Sequence, residues 1–288
     1  MRAMVIREFG GPEVFEEQEL PDPSPDPDQV LVEVKATSVN PVDFKIRQRG
    51  GWAFQLPAIL GWDAAGVVRV AGSRVTGLKP GDEVFYTPPI NGRGTYAELH
   101  AVSADLVGRK PAGLSFQEAA AVPLAGSTAW DALIERARVL PGERVLIHGA
   151  GGVGSLGIQI ARAAGAWVAV TCGGYDFDLA RELGADLTID YRSQDFTRVL
   201  DADSVDVVFD TVGGDILARS APLVKERGRM AVIIQHEGDF GRTYHKNVTL
   251  HLVMLSRSRK KMEHLSNLIE WGRLRPVIDS VMDLSEVA

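Results

Sequence analysis

The sequence predicts an α/β protein in which a mostly β first part precedes a doubly wound parallel sheet. Three observations lead to this prediction. The chain has 288 residues, of which 45% are hydrophobic and 24% charged, as in soluble globular proteins of two domains. Short β-branched runs bounded by turn residues fill the first part of the chain. After Ser115, apolar runs alternate with helical segments, which indicates parallel strands joined by right-handed crossovers.

Local patterns predict the individual elements. In the first part, β-branched runs between Gly and Pro residues predict strands at 4–6, 30–36, 66–70 and 83–86. The spacing of Ser115 and Glu118 is that of a capping box and predicts a helix start. Residues 248–255 are expected to form an edge strand, and residues 258–274 an amphipathic helix. Between these segments we expect strands at 144–148, 167–172, 187–191, 205–211 and 230–234, and helices at 154–164 and 177–183.

Charge and cysteine content exclude several functions. The net charge of −7 argues against nucleic acid and anionic membranes as partners. The one tight basic run, Arg257, Arg259, Lys260 and Lys261, is expected to lie on a solvated helix face. The single cysteine, Cys172, excludes an intrachain disulfide and a site built from several thiolates. The N-terminal residues include no long apolar run, so we expect no signal peptide, no membrane span and a cytoplasmic protein.

A glycine-rich loop between a strand and a helix is the strongest motif. Residues 145–154, Val-Leu-Ile-His-Gly-Ala-Gly-Gly-Val-Gly, lead from a β-branched run directly into a helical segment. Glycine lets the backbone turn tightly and approach a pyrophosphate, and the amides of a helix N-terminus attract the anion. The pattern predicts a Rossmann-type dinucleotide site, although a glycine turn without a ligand is the alternative. The glycines concerned are Gly149, Gly151, Gly152 and Gly154.

The end of the second strand indicates which nucleotide binds. NAD enzymes place Asp or Glu there to hold the ribose hydroxyls. Residues 171–174, Thr-Cys-Gly-Gly, carry no carboxylate, which leaves room for the 2′-phosphate of NADPH. Arg181, one helical turn further on, is the predicted phosphate ligand, whereas Asp176 either faces solvent or repels the phosphate. We therefore expect NADPH rather than NADH.

Short motifs occur in order along nearly the whole chain. They lie at 38–43, 61–66, 121–123, 128–130, 183–186, 189–191 and 209–214, and the last of them reads Phe-Asp-Thr-Val-Gly-Gly. In order and spacing, these motifs are similar to those of the medium-chain dehydrogenase/reductase superfamily. The resemblance is to its zinc-independent quinone oxidoreductase group, which is zeta-crystallin-like.

The resemblance implies an architecture and an activity. It implies a GroES-like catalytic domain of residues 1–123, completed by 256–288, and a Rossmann domain of residues 124–255. It also implies hydride transfer from NADPH to a quinone or to the activated C=C bond of an enone. Family members commonly form homodimers through an edge strand of the Rossmann sheet, and 248–255 is the matching segment. They normally continue beyond the position of Ala288, so we expect an omitted or disordered C-terminal segment.

The resemblance also implies roles for individual residues. Asn40 and Thr128 are expected near the nicotinamide, together with Ile234 from the loop after the fifth strand. Gly152 and Val153 are expected to contact the pyrophosphate. The candidate catalytic residues are Asn40, Thr128 and Tyr86, the last because its hydroxyl can supply a proton to the product. The expected adenosine contacts are Cys172, Gly173, Gly174, Arg181 and Tyr191.

Several of these positions have structural alternatives. Asn40, before a proline, is suited to capping a turn, and Asp43 to capping the helix that follows. Asp63 has the alternative of a satisfied buried carboxylate, and Tyr86 that of a packed strand-end side chain. A further hypothesis is that Trp52, Phe54 and Trp62 line an apolar cleft that accepts flat rings.

Zinc chemistry is not expected. The zinc enzymes of the superfamily carry Cys where this chain has Asn40, and His-Glu where it has Trp62-Asp63. A catalytic zinc needs three protein ligands, and these positions supply neither a thiolate nor an imidazole. Two other functions remain open: an enoyl-thioester reductase of the same fold, and an NADPH-binding protein with little turnover.

Overall fold

The computed structural model of the chain describes residues 1–51 and 54–287. It divides into two compact units. The first unit comprises Met1–Leu124, Arg257–Glu270 and Pro276–Ala288, and the second comprises Ala125–Ser256 and Trp271–Arg275. Gln159 explains why the segment 271–275 belongs to the second unit. Its Nε2 donates to the carbonyl oxygen of Arg275 (2.9 Å), and its Oε1 accepts from the Arg275 amide (2.8 Å).

The helices are short, and several of them begin with a side-chain or glycine cap. Among residues 1–51 and 54–287, none is both long and apolar enough to cross a membrane. The predicted capping box is present, because Ser115 Oγ accepts from the Glu118 amide at 3.2 Å. The helices are α1 (Pro41–Arg49), α2 (Phe116–Ala120), α3 (Pro123–Trp130), α4 (Gly152–Ala163), α5 (Phe177–Glu182), α6 (Phe196–Val199), α7 (Ile216–Ser220), α8 (Gly241–His245) and α9 (Arg259–Glu270).

Antiparallel strands form two sheets in the first unit. They are β1 (Arg2–Ile6), β2 (Phe15–Glu19), β3 (Gln29–Ala36), β4 (Ala58–Ile59), β5 (Ala64–Ala71), β6 (Glu83–Tyr86), β7 (Leu99–Ser103) and β8 (Gly108–Arg109). One sheet has the strand order β7-β3-β5-β6-β8, and the other has the order β2-β1-β4. Inward-facing side chains of the larger sheet, such as Val32, Val68 and Val84, form its core. Helix α9 packs closely on β8, since a Cβ on Gly108 would lie 2.4 Å from Met262 Cβ.

A six-stranded parallel sheet forms the centre of the second unit. Its strands are β9 (Arg144–His148), β10 (Trp167–Cys172), β11 (Leu187–Asp190), β12 (Val205–Asp210), β13 (Val224–Val232) and β14 (Thr249–Leu252). Their order is β11-β10-β9-β12-β13-β14, and every neighbouring pair is parallel. This is the strand order of the Rossmann fold. The predicted fold class is therefore confirmed, and the nearly continuous apolar runs of β9 and β12 reflect burial on both faces.

Several predicted boundaries are wrong by a few residues. β13 begins at Val224, whereas the strand was predicted at 230–234, because the residues of β13 before 230 include charged side chains. Two of these are held by ion pairs, Lys225 with Asp206 (2.8 Å) and Arg229 with Glu143 (2.6 Å). The helix predicted at 258–274 ends at Glu270, two residues before a glycine that adopts a positive φ.

The solvated-face interpretation of the basic run is wrong for most of its residues. Lys261 is buried, with 2% of its surface exposed. Arg257 Nε donates to the carbonyl oxygen of Pro88 (2.8 Å), and Arg259 Nε donates to that of Ala104 (3.1 Å). Arg257 and Arg259 therefore fasten the start of α9 to other segments of the first unit, and within the run Lys260 alone is exposed.

Candidate active site

The glycine loop joins β9 to α4 at the carboxyl edge of the parallel sheet. β10 lies on one side of β9 and β12 on the other, so the strand order reverses at this point. Such a topological switch point is where open α/β sheets bind their ligands. Gly149 adopts φ +93°, and Gly151 is the N-cap residue of α4. The strand, loop and helix predicted from the sequence are thus all present at a position suited to a nucleotide.

The loop is tightly packed on one side and open on the other. A Cβ on Gly154 would lie 2.0 Å from the carbonyl oxygen of Gly149, and a Cβ on Gly149 would lie 2.7 Å from Thr211 Oγ1. At Gly151 and Gly152, a Cβ would meet no described atom within 4 Å, and both residues are exposed. This arrangement fits a pyrophosphate lying against the exposed glycines and the N-terminal amides of α4.

A second loop, residues 211–214 after β12, lies at the same edge of the sheet. The carboxylate of Asp210 organises it, since Oδ1 accepts hydrogen bonds from the amides of Val212 (2.8 Å) and Gly213 (3.0 Å). Ile234, which we expected beside the nicotinamide, lies against this loop, because a Cβ on Gly213 would be 2.8 Å from Ile234 Cγ2. Val153 is half-buried in the first turn of α4.

His148, the last residue of β9, forms a buried polar network beneath the glycine loop. Its Nδ1 lies 3.0 Å from Thr171 Oγ1, and its Nε2 lies 2.8 Å from Ser220 Oγ. Burial lowers the pKa of His148 to about 3, so the imidazole is neutral at physiological pH. The network ties the end of β9 to β10 and α7. No local sequence pattern indicates this network, because Ser220 lies 72 residues further along the chain.

The predicted adenosine contacts lie on two adjacent loops, because β10 and β11 are parallel neighbours. Cys172 and Gly173 are buried, whereas Gly174 and Tyr191 are exposed. Gly173 has no room for a side chain, since a Cβ there would lie 2.4 Å from the ring of Tyr175. Tyr175 and Tyr191 are both largely exposed, so two aromatic rings are accessible in this region.

Arg181, the predicted phosphate ligand, interacts with its own helix. Its Nη1 lies 3.4 Å from Asp178 Oδ1, and its guanidinium lies 5.3 Å from the ring centroid of Phe177. A second arginine, Arg192, lies in the loop after β11 and stacks on two exposed tyrosines. Arg192 directly follows Tyr191 and was not among the residues predicted from the sequence.

In the first unit, Asn40 is the N-cap residue of α1 and belongs to a buried polar network. Its Nδ2 donates to Asp63 Oδ2 (2.6 Å) and to Ser38 Oγ (3.2 Å). Ser38 Oγ donates to the same carboxylate oxygen, and the amide of Leu124 donates to Asp63 Oδ1 (2.7 Å). Asp63 is therefore a buried carboxylate whose hydrogen bonds are satisfied, which is the structural alternative given above for this residue. It fixes the side chain of Asn40.

A second buried carboxylate lies beside this network. Asp43 accepts hydrogen bonds from the amide of Asn40 and from the Tyr96 hydroxyl (3.0 Å). It therefore caps α1, which is the structural alternative given above for Asp43. Burial raises the pKa of both Asp43 and Asp63 to about 7, with their hydrogen bonds acting in the opposite direction. The charge of the network consequently changes near neutral pH.

The positions at which zinc enzymes carry ligands are filled by protein contacts. Asn40 and Asp63 are hydrogen-bonded to each other, and Trp62 is completely buried. Trp62 therefore does not line an open cleft as predicted. It packs edge-to-face against Phe54 at 6.1 Å, and Trp52 lies outside the described residues. Within the described part of the chain, no cluster of three or more His, Cys, Asp or Glu residues is arranged to hold a metal.

Tyr86 and Thr128, the other catalytic candidates, belong to different units. Tyr86 has no exposed surface, its hydroxyl lies 3.0 Å from His100 Nδ1, and the two rings stack at 5.6 Å. Burial raises the pKa of Tyr86 and lowers that of His100 to about 4, so both groups are neutral. These contacts favour packing over the predicted role as proton donor. Thr128 is buried in α3, and its role stays a prediction.

Comparisons with known proteins agree with this architecture. Residues 26–129 match the alcohol dehydrogenase GroES-like domain, and residues 183–288 match the zinc-binding dehydrogenase family. A 2-methylene-furan-3-one reductase of Solanum lycopersicum is 37% identical over 97% of this chain and 71% of its own length. A chloroplastic NADPH-dependent alkenal/one oxidoreductase of Arabidopsis thaliana is 35% identical over 97% of this chain and 72% of its own.

Quinone oxidoreductases resemble the chain over an even larger share of their length. The enzyme of Lama guanicoe is 34% identical over 100% of this chain and 92% of its own. The structure of Escherichia coli quinone oxidoreductase, solved with NADPH, is 31% identical with a TM-score of 0.84, covering 98% of this chain and 91% of that one. The resemblance predicted from the motifs is thus confirmed. The chain is an oxidoreductase that belongs to the medium-chain dehydrogenase/reductase superfamily, in its quinone oxidoreductase group.

Proposed function

We propose that this protein is an NADPH-dependent reductase that transfers hydride to a quinone or to the activated C=C bond of an enone, without zinc. The observation that carries the proposal is the glycine loop at the switch point, whose outer side is open at Gly151 and Gly152. Relatives named as quinone and alkenal/one oxidoreductases support this acceptor class. The Escherichia coli relative solved with NADPH and the absence of a carboxylate at 171–174 support the cofactor.

Bound NADPH would supply the hydride from its nicotinamide ring. The amides of the glycine loop and of α4 bind and orient the pyrophosphate, so that the reacting carbon is held in one position. From the family resemblance, we propose that Asn40, Thr128 and Ile234 serve the nicotinamide end, while Cys172, Gly173, Gly174 and Tyr191 serve the adenosine. The acceptor gains one hydride and one proton, and we propose that solvent supplies the proton. The pyrophosphate contacts are Gly149, Gly151, Gly152, Val153 and Gly154.

The polar network of the first unit supports a role for Asn40 without a metal. Its carboxamide is held by Ser38 and Asp63, so its orientation is fixed before any ligand arrives. The bond between Asn40 and Asp63 joins two positions at which the metal-dependent enzymes carry Cys and Glu. A carboxamide is a weak ligand for zinc compared with thiolate or imidazole.

We further propose a cytoplasmic homodimer joined through residues 248–255. Strand β14 lies at the end of the strand order and pairs with β13 alone among the described strands. Leu252 and Met254 are 67% and 74% exposed, which is unfavourable for an edge strand in water. Pairing of two β14 strands would bury both the apolar side chains and the unpaired backbone groups.

The direct test is oxidation of NADPH, measured by absorbance, with benzoquinone, phenanthrenequinone and a simple enone as acceptors. NADH and a metal chelator serve as controls. We expect turnover with NADPH that survives chelation. Gly152→Val provides a matched variant, because its side chain has room in the protein but would occupy the space assigned to the pyrophosphate. The Gly152→Val variant should remain folded and lose NADPH binding. If the wild-type protein binds NADPH but turns over none of the acceptors, the proposed reaction is refuted.

A further inference from the structure

We propose that Arg192, rather than Arg181, binds the 2′-phosphate of NADPH and thereby selects NADPH over NADH. This inference rests on the proposed function, since it assumes that the second unit binds a dinucleotide. It names a specificity residue that follows from the arrangement of side chains at the ends of β10 and β11.

The position of Arg192 is the first argument. Cys172 of β10 pairs in register with Asp190 of β11, so the loops that follow these strands leave the sheet side by side. In Rossmann domains the adenosine ribose lies at the end of the second strand, which is β10 here. Arg192, two residues beyond the end of β11, extends toward this loop, because its guanidinium lies over the ring of Tyr175.

Two tyrosine rings hold the guanidinium of Arg192. Its guanidinium lies 5.1 Å from the ring centroid of Tyr175 and 5.6 Å from that of Tyr191, and its Nε donates to the Tyr191 hydroxyl at 3.4 Å. Aromatic faces restrain a guanidinium without neutralising it. In residues 1–51 and 54–287, no carboxylate lies within ion-pair distance of Arg192. Its remaining N–H groups are therefore suited to a bidentate contact with a phosphate.

Arg181 is in a different situation. It is paired with Asp178 on α5 and lies over Phe177, so a phosphate would have to displace an existing carboxylate contact. The acids Asp176 and Asp178 add negative charge at the start of the same short helix. Electrostatics thus favour Arg192 over Arg181 as the anion ligand.

One acidic side chain, Asp190, lies where it could bind the ribose of NADH instead. Asp190 approaches Gly174, since a Cβ on that glycine would lie 3.4 Å from Asp190 Oδ2. A carboxylate in this position is able to accept a ribose hydroxyl, as in NAD enzymes. Its oxygens already accept from the amide of Arg192 and from Ser193 Oγ, both at 3.0 Å. Asp190 therefore supports the loop that carries Arg192, and the affinities for the two nucleotides decide between these roles.

The test is fluorescence titration of the full-length protein with NADPH and NADH, for the wild type, Arg192→Gln, Arg192→Lys and Arg181→Gln. Arg198→Gln is the matched control, since Arg198 is an 88%-exposed arginine that lies on α6, beyond the loop that carries Arg192. Competition with 2′-AMP and 5′-AMP isolates the phosphate contact. We expect Arg192→Gln to weaken NADPH about 10- to 100-fold, with NADH changed less than about 2-fold. Arg192→Lys should restore part of the loss.

The outcomes separate this inference from the proposed function. If the wild type binds neither nucleotide, the proposed function fails and Arg192 has no role. If the wild type prefers NADPH but the loss appears in Arg181→Gln and not in Arg192→Gln, the inference is overturned while the function stands. An equal loss of NADPH and NADH in Arg192→Gln would show that the residue merely supports the loop, and would also overturn it. A wild-type preference for NADH would assign the ribose to Asp190.

Discussion

Replacing Asp63 by Asn should flatten the dependence of stability on pH. Asp63 is 1% exposed, and burial raises its pKa from 3.8 to about 7. Between these values, the folded protein keeps a proton that the unfolded chain releases. Stability therefore falls as pH rises through this range, and the loss is complete above the folded-state pKa. An asparagine has the same shape and does not titrate, so this contribution disappears in the variant.

The pKa difference sets the magnitude. A shift of about three units corresponds to about 4 kcal/mol when the carboxyl is fully ionised in both states. Between about pH 5 and about pH 8, where part of the titration is already complete in the unfolded chain, the expected change is about 3 kcal/mol. Asp43 also titrates near neutral pH, so the variant keeps part of the wild-type dependence.

Urea unfolding followed by circular dichroism at several pH values measures this effect. The free energy of unfolding of Asp63→Asn relative to wild type should rise by about 3 kcal/mol from about pH 5 to about pH 8. A constant offset is also expected, because the new amide cannot accept all the bonds that Ser38, Asn40 and the Leu124 amide donate. Glu237→Gln is a matched control on an exposed carboxylate. Parallel pH profiles for wild type and Asp63→Asn would refute the reasoning.

Three further predictions follow from packing. Gly154→Ala would place a Cβ 2.0 Å from the Gly149 carbonyl oxygen, so the loop must shift, and NADPH affinity measured by fluorescence should fall more than about 10-fold; wild-type affinity would contradict this. Tyr86→Phe removes the bond to His100 and should cost about 1 kcal/mol in urea unfolding with kcat unchanged, whereas a large fall in kcat would restore a catalytic role. Leu252→Asp on the edge strand should yield monomers in analytical ultracentrifugation, and an unchanged sedimentation coefficient would exclude this interface.

Local patterns were sufficient to predict the fold and the nucleotide loop. The strand, the glycines and the helix start of residues 145–154 are contiguous, and each has a local physical requirement, such as the positive φ of Gly149. The alternation of apolar runs and helices predicted the parallel sheet for the same reason. The part of β13 before residue 230 was missed because residues such as Arg229 are charged, and their ion pairs are with residues distant in the sequence.

Contacts between distant residues could not be predicted. The bond from Asn40 to Asp63 spans 23 residues, and that from His148 to Ser220 spans 72. Neither pairing has a periodic pattern, because the fold alone brings these side chains together. Arg192 was overlooked for a related reason: its importance comes from stacking on Tyr175, which lies on a different loop.

The central claim is hydride transfer from NADPH without zinc, and isotope transfer tests it most directly. The protein is dialysed against a chelator, its metal content is measured, and an enone is reduced with NADPH deuterated at either face of the reactive nicotinamide carbon. We expect one of the two deuterated forms to place deuterium on the β-carbon of the product, with zinc far below one equivalent. Product without deuterium from either form, or activity that disappears on chelation and returns with zinc, would contradict the account.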